Sequence, residues 1–425
     1  MNTRLWLDII YSMGYDGNTF HPEKGKIKWD ESIIEHQRNV IDNCLYTSRV
    51  HDLIDYAYPM DGRKGDELAI RLLYKLALRS SDPYEIDFLL GQQPDDHRLK
   101  FNFTINDRTL INSFRGYFDN YIQGKGPPIK YWDVRGVTYM TSLFNILIKV
   151  DKLTILDLTY WDVSNVINMD SMFSCTNPLV LFRGLTNWNT CRVTHMNYMF
   201  YLNENFNSDI SNWDVSKVKS MKHMFHKAVS FNQDIGNWDT GRVQDMFNMF
   251  YGATSFNKNI GKWDTSRVIN MANMFYEAVS FNQNIGNWDT SKVQKMYSMF
   301  YKAVSFNKDI GMWKTISVRD MHHMFNGAIA FNQDIRRWKT STVQDMNGMF
   351  LNATSFNQDI GRWDISSVTN MYRMFYGATS FEKTLSWDIS NVPYKDLMFD
   401  GSKGSLLLST DISRIFDLDI KTSLC

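Results

Sequence analysis

Tryptophan returns at one spacing through the second half of this 425-residue chain. Trp188, Trp213, Trp238, Trp263, Trp288, Trp313, Trp338 and Trp363 are each 25 residues apart, and Trp387 follows after 24. Other residues keep the same phase. Val falls five places after each Trp (Val268, Val293), Met at eight and eleven (Met271, Met274), Phe at twelve and eighteen (Phe250, Phe256), and Ile at twenty-two (Ile235, Ile260). A fixed period with large apolar residues locked to it implies units that bury their faces mainly against their neighbours. One such unit has too few apolar side chains to offset the entropy of ordering its own backbone, so the contacts between repeats decide stability.

Within the repeat, Val268, Met271, Phe275 and Ala278 are spaced three, four and three apart, which predicts one face of a short helix. Asp264 and Ser266 stand where caps are expected. Phe256, Ile260 and Trp263 are read as one short strand per coil, stacked in parallel on the next. The fold class expected is an α/β repeat, a right-handed leucine-rich-repeat-like solenoid of about eleven ~25-residue coils with an N-terminal helical domain. The first coils are irregular: Trp132 to Trp161 spans 29 residues and Trp161 to Trp188 spans 27, with the extra residues assigned to loops at Leu147 to Lys152 and Cys175 to Pro178.

The flanks lack the period. Residues 1–100 are read as a helical domain, with helices near 31–46 and 64–79. Residues 101–128 are read as a capping helix, entered at Asn106-Asp107, with Leu110, Ile111, Phe114, Phe118 and Tyr121 on its apolar face. The array then occupies 129–400, and 401–425 is a C-terminal cap or tail.

Here the repeat becomes specific. The run Trp-Asp-x-Ser-x-Val-x-x-Met-x-x-Met-Phe-x-x-Ala-x-Ser-Phe-Asn-x-x-Ile resembles the BspA-like surface proteins, a leucine-rich-repeat relative recorded as a domain of unknown function. The likeness spans residues 107 to 400, and the segment before Trp132 resembles the family's cap. The family occurs in mycoplasmas and other bacteria, protists and large DNA viruses, and it implies a right-handed solenoid used in attachment or protein binding.

Formal net charge is zero, which disfavours a nucleic-acid partner. Cys44, Cys175, Cys191 and Cys425 lack metal-ligand spacing, and His21, His36, His51 and His97 are scattered. No cofactor and no metal site is expected. The first residues carry no uninterrupted apolar run of the secretory kind, and no stretch reaches the roughly 18 to 20 apolar residues that span a bilayer. An intracellular place is therefore expected, in host cytoplasm or a virion if the source is viral, with no membrane insertion.

Read as columns, the repeats offer three surfaces. The Asn after each Phe (Asn207 to Asn357) is expected to form a ladder satisfying backbone groups. The Asp after each Trp is expected to cap and to pair weakly with Arg or Lys three residues on, rather than to bind calcium. The column one place after the Met-Phe pair holds Tyr201, His226, Tyr251, Tyr276, Tyr301, Asn326, Leu351 and Tyr376. Its tyrosines, Tyr201, Tyr251, Tyr276, Tyr301 and Tyr376, are the candidate partner-binding residues, expected to face outward or half outward.

No cluster of acid and base breaks the repeat, so no catalytic residue is assigned. Arg336-Arg337 and His322-His323 depart from the consensus without identifiable partners. The expected function is a non-enzymatic protein-interaction or attachment module. A structural part of a virion or large assembly, and a glycan-binding or glycan-cleaving solenoid, are the alternatives.

Overall fold

A computed structural model of the chain describes residues 104–106, 129, 132–149, 153–174 and 177–407. The expected N-terminal helices, the helix entered at Asn106-Asp107 and the tail beyond 407 lie outside the described residues. Two compact units divide the chain; Ile129 and Trp132 belong to one, and 104–106 with 133–407 to the other. In the first, the Trp132 amide donates to the Ile129 carbonyl at 3.1 Å.

In the second unit each 25-residue stretch lies in parallel register on the next. Single bridges join Asn270 to Lys295, Lys295 to Asp320, Asp320 to Asp345 and Asp345 to Asn370. Around each bridge, alternate amides point to the following repeat. Met271 donates to Lys295, Asn273 to Tyr297, Phe275 to Met299 and Glu277 to Tyr301, over 2.7 to 3.0 Å. The intervening amides turn inward, with Met274, Tyr276 and Ala278 donating three residues back.

This alternation corrects the helix expected over Val268 to Ala278. All four of the spaced residues are fully buried, as core residues are. The backbone between them is not helical, because Asn273 and Glu277 sit in the left-handed region (φ 54° and 55°). Two left-handed residues per repeat, ten and fourteen places after each Trp from Trp188 to Trp387, reverse the direction of every second peptide there. Hydrogen bonds that a helix would keep to itself are thereby spent between repeats. Left-handed backbone costs an L-residue about 1–2 kcal/mol, and only shared inter-repeat bonds offset it. Among the described residues the one helical element is a 3-10 helix, Leu143–Lys149, inside the irregular early region.

The strand expected at Phe256 to Trp263 is corrected as well. At that phase, strands occur near the ends of the array. Thr154–Asp157 (β3) pairs in parallel with Val180–Arg183 (β4), and Thr384–Leu385 (β5) with Ser405–Leu406 (β6). A further pair, Thr104–Asn106 (β1) and Asp133–Gly136 (β2), precedes them. In the regular repeats the main-chain pairing is replaced by side chains. Oδ1 of Asn207 accepts from the Asn232 amide at 2.9 Å, Asn232 from Asn257 at 3.0 Å, and so on through Asn332 and Asn357 at 2.9 Å. Gln233, Gln283 and Gln358 brace the same ladder by donating to the preceding Asn.

Equivalent rings in parallel repeats are displaced by the same local shift as their backbones, so their separations measure repeat spacing. Along the Trp column it is 6.2 to 6.5 Å from Trp238 to Trp387. At Phe250, Phe275 and Phe300 it is 5.6 to 5.7 Å. Along Tyr251, Tyr276 and Tyr301 it falls to 4.2 to 4.3 Å. Repeats lie closest beside the main-chain ladder and widest where side chains bridge them, because an interposed amide adds length.

The core is this set of ring stacks. Each indole N–H in the regular array donates to a backbone carbonyl 28 residues earlier, as from Trp263 to Ile235 at 2.9 Å and Trp338 to Ile310 at 3.1 Å. Thr265, Thr290 and Thr315 are buried and donate forward to the carbonyl 24 residues on. Burial of Trp and Thr is thus accompanied by satisfied polar atoms. Trp387, reached after 24 residues instead of 25, leaves its indole nitrogen without a partner.

Candidate functional site

Four of the five candidate tyrosines converge on one stack. Tyr201 lies over His226 at 4.8 Å, His226 over Tyr251 at 4.4 Å, Tyr251 over Tyr276 at 4.3 Å and Tyr276 over Tyr301 at 4.2 Å. All five rings are half-buried. The interior rings therefore turn both faces to each other and present edges and hydroxyls outward. Tyr376 stands apart from this stack, since Asn326 and Leu351 occupy the two intervening positions. It meets instead the guanidinium of Arg373, 5.2 Å from its ring centre, and the same guanidinium lies 5.0 Å from Tyr372.

Two histidine-containing clusters, which column reading by a single phase overlooks, border the stack. Tyr198 stacks on His223 at 4.5 Å, and Nδ1 of His223 lies 3.3 Å from Nδ1 of His226. Further along, Tyr297 stacks on His322 at 4.8 Å, whose Nδ1 lies 2.6 Å from Asp320. His323 meets Asn326 at 3.1 Å. The available signal was that positions nine and ten places after Trp are also aromatic or His in several repeats (Tyr198, His223, Phe247, Tyr297, His322, His323, Tyr372).

Environment sets the protonation of these rings. Burial pushes the His226 imidazole down to about 4, with the His223 and Lys227 charges acting in the same direction. His223 is lowered by burial and by Lys222. His322 is raised, first by its hydrogen bond to Asp320. Burial, then the neighbouring Tyr301 and Tyr251, hold the Tyr276 hydroxyl in its protonated form. The face is thus a band of neutral aromatic edges with Lys302 over Tyr301 at 5.3 Å and paired to Glu277 at 3.3 Å.

The acidic columns are structural in form. Asp214, Asp264, Asp289 and Asp364 each accept from the amide two residues on, at 2.9 to 3.0 Å. Bonds from Ser216, Ser266, Ser291 and Ser366 hold these carboxyls below the ordinary carboxylate value. Among the described residues no group of three or more His, Cys, Asp or Glu is placed to hold a metal ion. No described helix is long and apolar enough to cross a membrane. A cavity of about 270 Å³ lies beside β4, lined by Val180 to Arg183 and Asn205 to Ser208.

A periodic chain whose units interlock through aromatic columns and side-chain ladders is a repeat protein. The family described as Mycoplasma protein of unknown function, DUF285, matches residues 112–180, 175–263, 233–325, 254–353 and 307–408, and the chain belongs to it. Comparison with curated proteins and with solved structures gives no match.

Proposed function

We propose that the array is a non-enzymatic protein-binding module, built as a right-handed leucine-rich-repeat-like solenoid of the BspA-like kind and working inside the cell. The observation carrying this reading is the stack from Tyr201 to Tyr301. Five half-buried rings are fixed on a stretch of backbone in which every second amide is bonded to the next repeat. Such rings lose little side-chain entropy when a partner covers their edges, which is why rigid Tyr surfaces suit recognition.

The carboxylates favour binding over catalysis. A general acid needs a carboxyl whose proton affinity is raised, whereas among the described residues the shifted aspartates are all lowered by hydrogen bonds from nearby serines. Capture from lysate of the source cells tests the proposal. A partner retained by the wild type and lost by a Tyr251→Phe, Tyr276→Phe, Tyr301→Phe variant, which keeps the rings and removes the hydroxyls, supports it. Release of reducing ends from a polysaccharide panel sinks it in favour of a glycan-cleaving solenoid.

A further inference from the structure

The residue after Trp changes from acid to base in two adjacent repeats, at Lys314 and Lys339. After four successive tryptophans, Trp213 to Trp288, an Asp one place on is matched by a cation three further on, as in Asp214 with Lys217, Asp264 with Arg267 and Asp289 with Lys292. In the next two repeats Lys314 is followed by Ser317, and Lys339 by Thr342. The Asn that usually precedes Trp becomes Met312, Arg337 and Arg362, and the glycine before that becomes Arg336.

All five cations are exposed. Arg336 bonds to Asp334 at 2.9 Å and Lys314 lies 3.7 Å from Asp289, while Arg337, Lys339 and Arg362 have no salt-bridge partner among the described residues. Arg336, Arg337, Lys339 and Arg362 line a cavity of about 650 Å³ with Thr340 and Asp364. Two apolar side chains stand out beside them, Met312 at 68% and Ile316 at 57% exposure, where neighbouring repeats carry Asn287 and Ser291.

We infer that this patch is a docking site for an extended acidic segment of another protein, with carboxylates on alternate residues. Spacing and charge together select that occupant. The buried Trp rings adjacent in sequence to these cations lie 6.4 Å apart from Trp313 to Trp338 and 6.2 Å from Trp338 to Trp363. An extended peptide presents same-side side chains about 6.6 Å apart, two residues at roughly 3.3 Å each. Carboxylates two residues apart therefore meet Arg337 and Arg362, or Lys314 and Lys339, in register. A nucleic acid or sulfated glycan would draw on a longer basic track, whereas Met312 and Ile316 offer apolar contact to the uncharged residues of such a peptide. The inference rests on the reading of the array as a binding module and adds a second surface, on a column separate from the tyrosines.

Fluorescence anisotropy with a labelled peptide alternating Glu and Val tests it. The variant Arg337→Asn, Lys339→Asp, Arg362→Asn restores residues that other repeats already carry, so it keeps the fold. Salt-sensitive binding by the wild type, weakened about tenfold or more in this variant and unchanged when Tyr251, Tyr276 and Tyr301 become Phe, is the expected result. Absence of binding, equal binding by the restored variant, equal binding of a peptide with the same residues in blocks, or tighter binding of a heparin fragment or an oligonucleotide overturns it. If the peptide fails while lysate capture still depends on the tyrosine hydroxyls, this site falls and the general reading stands; loss of both results removes both.

Discussion

The indole nitrogen of Trp263 donates to the main-chain carbonyl of Ile235 at 2.9 Å, across 28 residues and from one repeat to the one before it. The same bond recurs from Trp288 to Ile260 and from Trp313 to Ile285, both at 3.1 Å. The side chain that fills the core thus also ties the wide edge of the repeat, where main-chain pairing is missing.

Two substitutions separate those roles. Trp263→Phe should cost about 1–3 kcal/mol, chiefly by leaving the Ile235 carbonyl buried and unpaired. Trp263→Ala should cost about 3–5 kcal/mol, adding the cavity. Urea unfolding of both, with the midpoint read at constant slope, measures the difference; a Trp263→Phe midpoint equal to that of the wild type would show that the hydrogen bond contributes nothing.

Left-handed backbone predicts a position-specific glycine effect. Gly348 has φ 54°, and a Cβ there would lie 2.5 Å from Nδ1 of His323. Gly348→Ala should lower stability by about 1–2 kcal/mol from the backbone alone, with more from the ring. Asn273, at the equivalent place in another repeat with φ 54°, should tolerate replacement by Gly with little change. Thermal melts of the two variants should diverge, and adding His323→Ser to the Gly348 variant should recover part of its loss.

Stacking in the tyrosine column carries a stability cost that outward-facing rings would not. Tyr276→Ser removes the contacts to Tyr251 and Tyr301, and at about 0.5–1.5 kcal/mol for each aromatic pair the loss should be about 1–3 kcal/mol. Tyr276→Phe should be close to neutral. An unchanged melting temperature for the Ser variant would mean that the rings stack without holding the repeats together.

Acid should destabilise the protein in two windows. The His226 imidazole is depressed in the folded chain, so its contribution is complete above its ordinary value of 6.5 and is lost as pH falls toward about 4. His223 and His323 act in the same sense. His322 is raised, so its contribution is present below 6.5 and fades as pH rises through its folded value. The depressed carboxyls of Asp214, Asp264 and Asp289 hold their contribution above 3.8 and lose it below. Tm measured against pH should therefore drop between 6.5 and 4 and again below 3.8. His226→Asn should flatten the first drop and leave the second.

Much of this was legible in the residue order. The period, the buried identity of Trp263, Val268, Met271 and Phe275, and the asparagine ladder all follow from phase, because a residue repeated at one position must meet its own copies. The helix expected over Val268 to Ala278 does not form. The spacing three, four, three fits a helix face, yet the same spacing serves a zigzag in which Asn273 and Glu277 are left-handed. Nothing in the identity of Glu277 or Lys302 announces a positive φ; the bonds their amides make to the next repeat impose it.

For the candidate sites the division is similar. Sequence placed Tyr201, Tyr251, Tyr276 and Tyr301 in one column, but whether they would project or stack depended on repeat spacing, which is set elsewhere in the coil. Main-chain bonding on one side and interposed Asn side chains on the other bring the tyrosines to 4.2 Å while the tryptophans stay 6.0 Å or more apart. The departures at Arg336 and Arg337 were equally visible as letters. Their common face with Lys339 and Arg362 exists because stacking converts a distance of 25 residues into one of about six ångströms, and only the folded array performs that conversion.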